Sequence, residues 1–289
     1  MITSDNPKEE MSTLNRLTAE QIKQMNYNEL IGLVRETNRP PGGLKSILEV
    51  ANKCRVGSES KVLEIGTATG VTAVELGLYT GAQITAIDIS EQSLDTARKR
   101  AAAHGLSKCI SFEQQDATSL PYMDCTFDLV FCGNVTSLIP DRAAALREYT
   151  RLLRPLGYLA AIPMYYLRQP SDELVRDVSD AIQVDLDVHD KAYWDEFFTT
   201  TDLNIVEEST YTFDHISDEA VDAFCREVLA RPHLDALGAE ARATLQGQYT
   251  DYMFLFRENL AHMGYSIILL RKDPAGSERE LFTSTKSFG

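Results

Sequence analysis

Residues 61–77 read KVLEIGTATGVTAVELG: an apolar run takes in an acid, breaks into Gly, Thr and Ala, and then turns amphipathic. A chain that leaves a strand and turns at once into a helix, with a ligand near its backbone, needs residues with little or no side chain. Gly66, Ala68 and Gly70, spaced two apart, meet that need. Strands are expected at 61–66, 83–88, 109–114, 127–132 and 158–162. Helices are expected at 70–79, 90–104 and 141–153, the last closed by Pro155. Short apolar strands alternating with helices imply parallel pairing through right-handed crossovers, with helices on both faces. The fold class is a doubly wound, Rossmann-like α/β sheet.

The flanks are helical. A helix is expected over 18–36, with Thr18 as N-cap and Ile22, Met25, Leu30 and Leu33 on one face. NRPPGG, Asn38 to Gly43, stops it, and a second helix is expected near 44–54. After residue 165 come helices near 172–182 and 190–199, a strand at 203–212, a helical segment over 213–262 and a last strand at 265–271. Within that segment Ala241, Leu245, Tyr249, Met253, Phe256, Leu260 and Met263 form one stripe of a long amphipathic helix. Such a stripe can face its own core, cap an active site or bury itself against a second copy in a homodimer. The organisation expected is an N-terminal helical lid (1–55), a core (56–212 with 263–273), a helical cap insertion (213–262) and a polar tail (274–289). Residues 1–12 are polar and expected to fray.

Charge narrows the partners. Asp and Glu number 43 against 28 Lys and Arg, a formal net charge of -15, with no basic cluster. A phosphate-neutralising face is therefore not expected, which argues against a nucleic-acid substrate and against docking on anionic membranes. No apolar run approaches the roughly 20 residues of a membrane span, and MITSDNPKEEMS lacks the basic-then-apolar pattern of a signal peptide. Five cysteines are scattered without a CxxC pair, and five histidines are equally dispersed. Free thiols in a reducing cytoplasm, and no metal site, are the expectation.

The loop's chemistry narrows the ligand. A dinucleotide fingerprint would need Gly or Ala at 71, where this chain has Val71. The small residues instead follow E-x-G-x-A-x-G, with Glu64 two residues before Gly66. A carboxylate there would repel a pyrophosphate but suits a ligand with a cationic amino group, such as S-adenosylmethionine. Asp88 ends ITAID, where a carboxylate can accept both ribose hydroxyls; nicotinamide enzymes use the same device. Asp116, in QQDATSLP, follows the third strand, in reach of an adenine amino group or serving only a turn.

The span from about 60 to 162 resembles the class I S-adenosylmethionine-dependent methyltransferases, in their ubiquinone/menaquinone-biosynthesis-like group that methylates small molecules. VLEIGTATG resembles the cofactor loop, ITAIDIS the ribose-binding strand end, DATSLPYMDCTFDLVFCGN the adenine-side loop and fourth strand, and ALREYTRLLRPLGYL the helix and turn before the fifth strand. The resemblance implies a seven-stranded sheet with an antiparallel last strand, and S-adenosylmethionine as cofactor. It places Glu64, Gly66, Thr67, Ala68, Gly70, Asp88, Ile89, Asp116, Ala117 and Gly133 around that cofactor. Ala68 departs from a usual glycine, as does Leu156 in RPLG. Ser137 and Leu138 stand where many relatives carry a histidine pair, so a base is not available at that place.

Methyl transfer needs chiefly in-line alignment at about 3 Å and exclusion of water. Asn134 and Thr136 follow the fourth strand, and Tyr165 and Tyr166 the fifth; Asn134, Tyr165 and Tyr166 are the candidates to contact the acceptor. The tyrosines can equally be core residues with satisfied hydroxyls. Tyr27 and Arg39 are candidates for a lid over the cofactor, Tyr27 as a cofactor-binding residue, and Arg39 is also a candidate for a substrate carboxylate or a plain surface residue. The sequence places neither His189 nor His215. The function expected is methylation of a small metabolite or natural-product intermediate. The other readings are a nicotinamide-dependent oxidoreductase and a non-catalytic S-adenosylmethionine-binding protein.

Overall fold

The computed structural model describes residues 13–37 and 39–277; residues 1–12, Asn38 of the NRPPGG turn and the tail from 278 lie outside the described residues. Strands β1 (Lys61–Ile65), β2 (Gln83–Asp88), β3 (Ile110–Gln114), β4 (Phe127–Cys132) and β5 (Leu153–Ala161) pair in parallel in the order β3-β2-β1-β4-β5. Alternate residues feed two cores. Val62, Leu129 and Phe131 face one, with helices α3 (Leu44–Lys53), α4 (Val71–Thr80) and α5 (Glu91–Ala103). Leu63, Ile65, Val130 and Cys132 face the other, with α6 (Arg142–Leu152) and α8 (Lys191–Thr199). Burial on both faces is why these strands read as near-continuous apolar runs.

The sheet has eight strands rather than seven. The additional one, β6 (Met164–Tyr166), continues β5 along the same edge of β8 (Met263–Arg271). The interruption falls at Ile162–Pro163, and Pro163 has no N–H to donate. β8 runs antiparallel to β5, β6 and the outer strand β7 (Asn204–Thr212), and is buried from residue 263 to 270.

The single helix expected over 18–36 is two: α1 (Ala19–Lys23) and α2 (Tyr27–Val34). Asn26 starts the second, its side chain accepting from Glu29 N at 2.9 Å while Glu29 accepts from Asn26 N at 3.0 Å. That reciprocal cap is as strong as the Thr18–Gln21 cap that opens α1, and the periodicity of the apolar face hid it. Further on lie α7 (Asp172–Ile182), α9 (Asp218–Leu229) and α10 (Ala239–Leu260). A third core is built from Leu14, α1, α2 and the segment between β7 and β8: Leu14, Ile22, Leu30 and Val34 pack with Val221, Cys225, Val228, Leu245 and Tyr249. The stripe on α10 divides. Ala241, Leu245 and Tyr249 enter this core, which leaves that half no open surface for a second copy; Met253, Phe256 and Leu260 go on to line a cavity. Among the described residues no helix is long and apolar enough to cross a membrane, and no group of three or more metal-ligating side chains occurs.

Leu156, where the resemblance leads to an expected glycine, takes a left-handed conformation (φ 69) in the bulge where β5 shifts register against β4. Its side chain is 54% exposed. Left-handed backbone costs a residue with Cβ about 1–2 kcal/mol, more than the roughly 0.5–1 kcal/mol of added flexibility a glycine brings. Leu156→Gly is therefore expected to raise stability by up to about 1 kcal/mol, read as a higher urea midpoint at unchanged slope.

Candidate functional site

The β1–α4 loop is built around Gly66. Its φ is +70, and a Cβ there would lie 2.5 Å from Val135 Cγ2, so the loop crosses the chain leaving β4 only because residue 66 has no side chain. The amides of Gly66 and Thr67 both donate to Ile87 O at 2.9 Å, clamping the loop to the end of β2. Gly70 (φ +77) lets α4 begin against α5, where a Cβ would lie 2.6 Å from that of Ala97. Ala68, at φ 47, accepts a left-handed conformation, and its N–H donates to Asp88 Oδ2 at 2.9 Å. Ser90 N donates to Asp88 Oδ1, also at 2.9 Å, so the ribose-candidate carboxylate is held from both sides.

Glu64 lies elsewhere than the sequence suggested. It is only 3% exposed, beneath the loop, and Thr67 Oγ1 donates to its Oε2 at 2.7 Å. Burial pushes its carboxyl up to about 7, although hydrogen bonds from Thr67, Thr72 and the Ala73 backbone oppose the rise. The carboxyl thus ties loop to helix from below. Asp116 is exposed and accepts from Thr118 N at 2.9 Å and Thr118 Oγ1 at 2.7 Å, a turn that holds its carboxyl below the usual range. Beside it Ala117 is buried, and Ile89 follows Asp88 with 75% of its surface exposed. At the end of β4, a Cβ on Gly133 would meet Pro40 at 3.3 Å, so the turn after α2 lies directly over this strand end. Arg39 pairs with Glu75 of α4 (2.5 and 3.0 Å), an anchor for that turn.

Next to the loop opens a cavity of about 670 Å³. Asn134, Ser137 and Leu138 line it from the short turn after β4, Met164 and Tyr166 from β6, and Met253, Phe256 and Leu260 from α10. Asn134 Oδ1 accepts from Met164 N at 2.9 Å, which fixes the amide at the cavity wall. The tyrosine pair splits, as neighbours on a strand must. Tyr166 faces the cavity and donates to Asn259 Oδ1 at 2.9 Å, whereas Tyr165 turns into the sheet core, its hydroxyl 3.3 Å from Ser266 Oγ. Tyr165 is thus removed from the acceptor candidates. Thr136 is buried against Cys132 Sγ at 2.7 Å and does not line the cavity. Tyr27 stands edge-on to Phe256 (4.5 Å between centroids) and lines this cavity; burial pushes its hydroxyl up.

Glu36, His189, Arg257 and Asn259 also line the cavity, and sequence reasoning did not place them. Glu36 accepts from Tyr249 OH at 2.6 Å, with burial raising its carboxyl. The His189 ring stacks on Tyr193 at 3.5 Å, four residues on, the one local signal the sequence held. Burial, then the Arg142 guanidinium, holds the imidazole below its ordinary pKa. His215 is exposed outside the cavity.

Residues 57–226 match the model of a methyltransferase domain family, and the chain belongs to that family. It is 38% identical over 105 residues to methyltransferase GfsG of Streptomyces halstedii, covering 36% of this chain and 38% of that protein. It is 32% identical over 127 residues to 27-O-demethylrifamycin SV methyltransferase of Amycolatopsis mediterranei, covering 42% of this chain and 47% of the relative. The chain thus aligns with less than half the length of either relative. Among solved structures, that of MccD protein superposes with a TM-score of 0.69 at 24% identity, over 82% of this chain and all of that one, and shows the same fold.

Two outcomes follow from this geometry. Gly66→Ala, which sets a methyl against Val135, is expected to cost about 1–3 kcal/mol, and adding Val135→Ala should recover part of it in urea titrations. The raised Glu64 carboxyl stabilises the fold fully below its unfolded value of 4.5, and that contribution is lost as pH rises toward about 7. The melting temperature of Glu64→Gln should accordingly fall less than the parent's between pH 4.5 and 7.

Proposed function

We propose that this chain is an S-adenosylmethionine-dependent methyltransferase acting on a small, largely apolar acceptor. The observation that carries the reading is the shared turn after β4. Val135 lies against Gly66 of the loop, while its neighbours Asn134, Ser137 and Leu138 wall the cavity. Cofactor loop and acceptor cavity are two sides of one backbone segment, at the carboxyl edge of the sheet where α/β folds bind ligands.

The residues present fit the cofactor. Asp88, held beside the Ala68 amide, would take the ribose hydroxyls; Ile89, Asp116 and Ala117 stand along the neighbouring strand ends for the adenine, and Gly66 and Gly133 leave the loop and strand end without side chains. Thr67 and Gly70 shape the loop. When bound, the cofactor supplies an electrophilic methyl on a good leaving group. The protein's contribution is then to orient the acceptor and exclude water, a task suited to Tyr27 and Phe256 from the helices over the cavity and Asn134 and Tyr166 from the sheet.

The cavity's chemistry describes the acceptor. Its volume of about 670 Å³ lies in the range for drug-sized ligands. Its charged groups are already partnered: Asp187 with Arg142, Arg257 with Asp218, and Glu36 with Tyr249. A neutral metabolite or natural-product intermediate fits such a wall, and the relative named as a 27-O-demethylrifamycin SV methyltransferase supports the same class. Together, α1, α2 and the 213–262 segment act as the cap over this site. Five free cysteines accord with a reducing cytoplasm.

Removing the Asp88 carboxylate takes away hydrogen bonds to a charged group, worth about 1.5–3 kcal/mol. Isothermal titration should show Asp88→Ala binding S-adenosylmethionine one to two decades more weakly. Unchanged affinity in a folded variant would sink the assignment.

A further inference from the structure

The ionic groups on the cavity wall are partnered unequally. Asp187 pairs with Arg142 at 2.6 Å, and Arg257 pairs with Asp218. Glu36 has only a neutral partner: Tyr249 OH donates to its Oε2 at 2.6 Å and brings no positive charge. Among the described residues no cationic nitrogen lies at ion-pair distance from Glu36, and Oε1 has no hydrogen-bond partner and is not sealed in. Arg231 acts on the carboxylate only from a distance, since its guanidinium is committed to the carbonyls of Val34 and Arg35. The backbone fixes the position. Arg35 closes α2 in a left-handed conformation (φ 55), and Glu36 N donates to Ile31 O at 2.9 Å. Just beyond, Arg39 pairs with Glu75 of α4 and Pro40 lies over Gly133, so the segment carrying Glu36 is held at the candidate cofactor edge. The same wall carries Tyr27, whose hydroxyl is raised by burial and then by the Glu36 charge, and Phe256, edge-on to it; aromatic ring faces attract cations.

We propose that Glu36 receives the primary ammonium group of a ligand in this cavity, at Oε1. A carboxylate drawn partly out of water without a counter-charge is costly, and a bound ammonium offsets that cost with a charge-assisted hydrogen bond. Two ligands could bring the same group: the cofactor, through its methionine end, or an acceptor amine. The cofactor source rests on the methyltransferase reading and gives Glu36 the role that the sequence offered to Glu64. That residue lies beneath the loop, where it accepts from Thr67 Oγ1 at 2.7 Å. This source also agrees with a neutral acceptor, because the missing positive charge then arrives with the cofactor. Burial raises the Glu36 carboxyl against the pull of the Tyr249 hydroxyl and Arg231, and an ammonium at Oε1 would draw it back toward the ionised form.

Calorimetry on the full chain compares S-adenosylhomocysteine with its desamino analogue, the adenosyl thioether of γ-mercaptobutanoate, which lacks only the amine. The parent should prefer the amine-bearing ligand by about tenfold or more. Glu36→Gln keeps a carbonyl for Tyr249, so it should erase that preference by weakening S-adenosylhomocysteine while moving the analogue by less than about twofold. Glu64→Gln should shift both ligands alike. A second titration, followed by NMR, offers phenethylamine and phenethyl alcohol to protein with and without the analogue bound. A preference for the amine that Glu36→Gln abolishes, with the nucleoside preference untouched, assigns the ammonium to the acceptor. A parent that shows neither preference, a Glu36→Gln variant that alters neither, or a nucleoside preference lost in Glu64→Gln and kept in Glu36→Gln would each overturn the assignment. A parent that binds neither nucleoside overturns the methyltransferase reading instead, and the amine titration without analogue then decides the role of Glu36 by itself.

Discussion

The carboxyl edge of the sheet depends on one close crossing, Gly66 over Val135. With a Cβ 2.5 Å from a valine methyl, the loop would have to rise from β4, and the two halves of the site would part. Because residue 66 has no side chain, the amides of Gly66 and Thr67 reach Ile87 O, and the Ala68 amide reaches Asp88. One steric vacancy therefore sets the position of the ribose-candidate carboxylate and of the turn that walls the cavity. The buried Glu64 beneath the loop serves the same end by tying Thr67 to α4.

The second constraint is the helical layer beside the sheet. Two short helices and the segment before β8 share a core of their own, separate from the two cores that flank the sheet. The apolar stripe on α10 runs from that core into the cavity wall, so the residues that pack the helix and those that line the cavity are successive turns of one helix. Arg39 with Glu75, and Pro40 over Gly133, pin the connecting turn to the strand ends. The cavity thus lies between the sheet edge and a helix whose other half is packed into a core.

The parallel sheet and its candidate cofactor edge were legible because each rests on local signals: apolar runs, a spaced set of small residues, and acids at strand ends; the strand order came only with the structure. The break at Asn26 was missed because a capping box inside an unbroken apolar period is outvoted by that period. Glu64 was assigned to the ligand because an acid beside a cofactor loop reads the same whether it faces up or down; its direction is set by Thr67 and Thr72, which the spacing does not rank. Tyr165 and Tyr166 could not be told apart without knowing which face of β6 meets the cavity. That face is set by Pro163, where the chain leaves one strand and begins the next.

The cavity's far wall was illegible for a different reason. Glu36, His189 and Asn259 come from three distant stretches, and only the closing of β8 between β5 and β7 brings them to one surface. Their local sequences look like ordinary helix ends and turns. What the fold adds is an environment: apolar surface on most sides, charges paired off, and a stacked imidazole set between a guanidinium and a carboxylate. Burial and then the Arg142 guanidinium weaken the imidazolium against the pull of Asp187, so the ring's pKa lies below its ordinary value. The two sides of this region therefore meet at the chain leaving β4, where the missing side chain of Gly66 makes room for Val135 while Asn134, Ser137 and Leu138 wall the cavity.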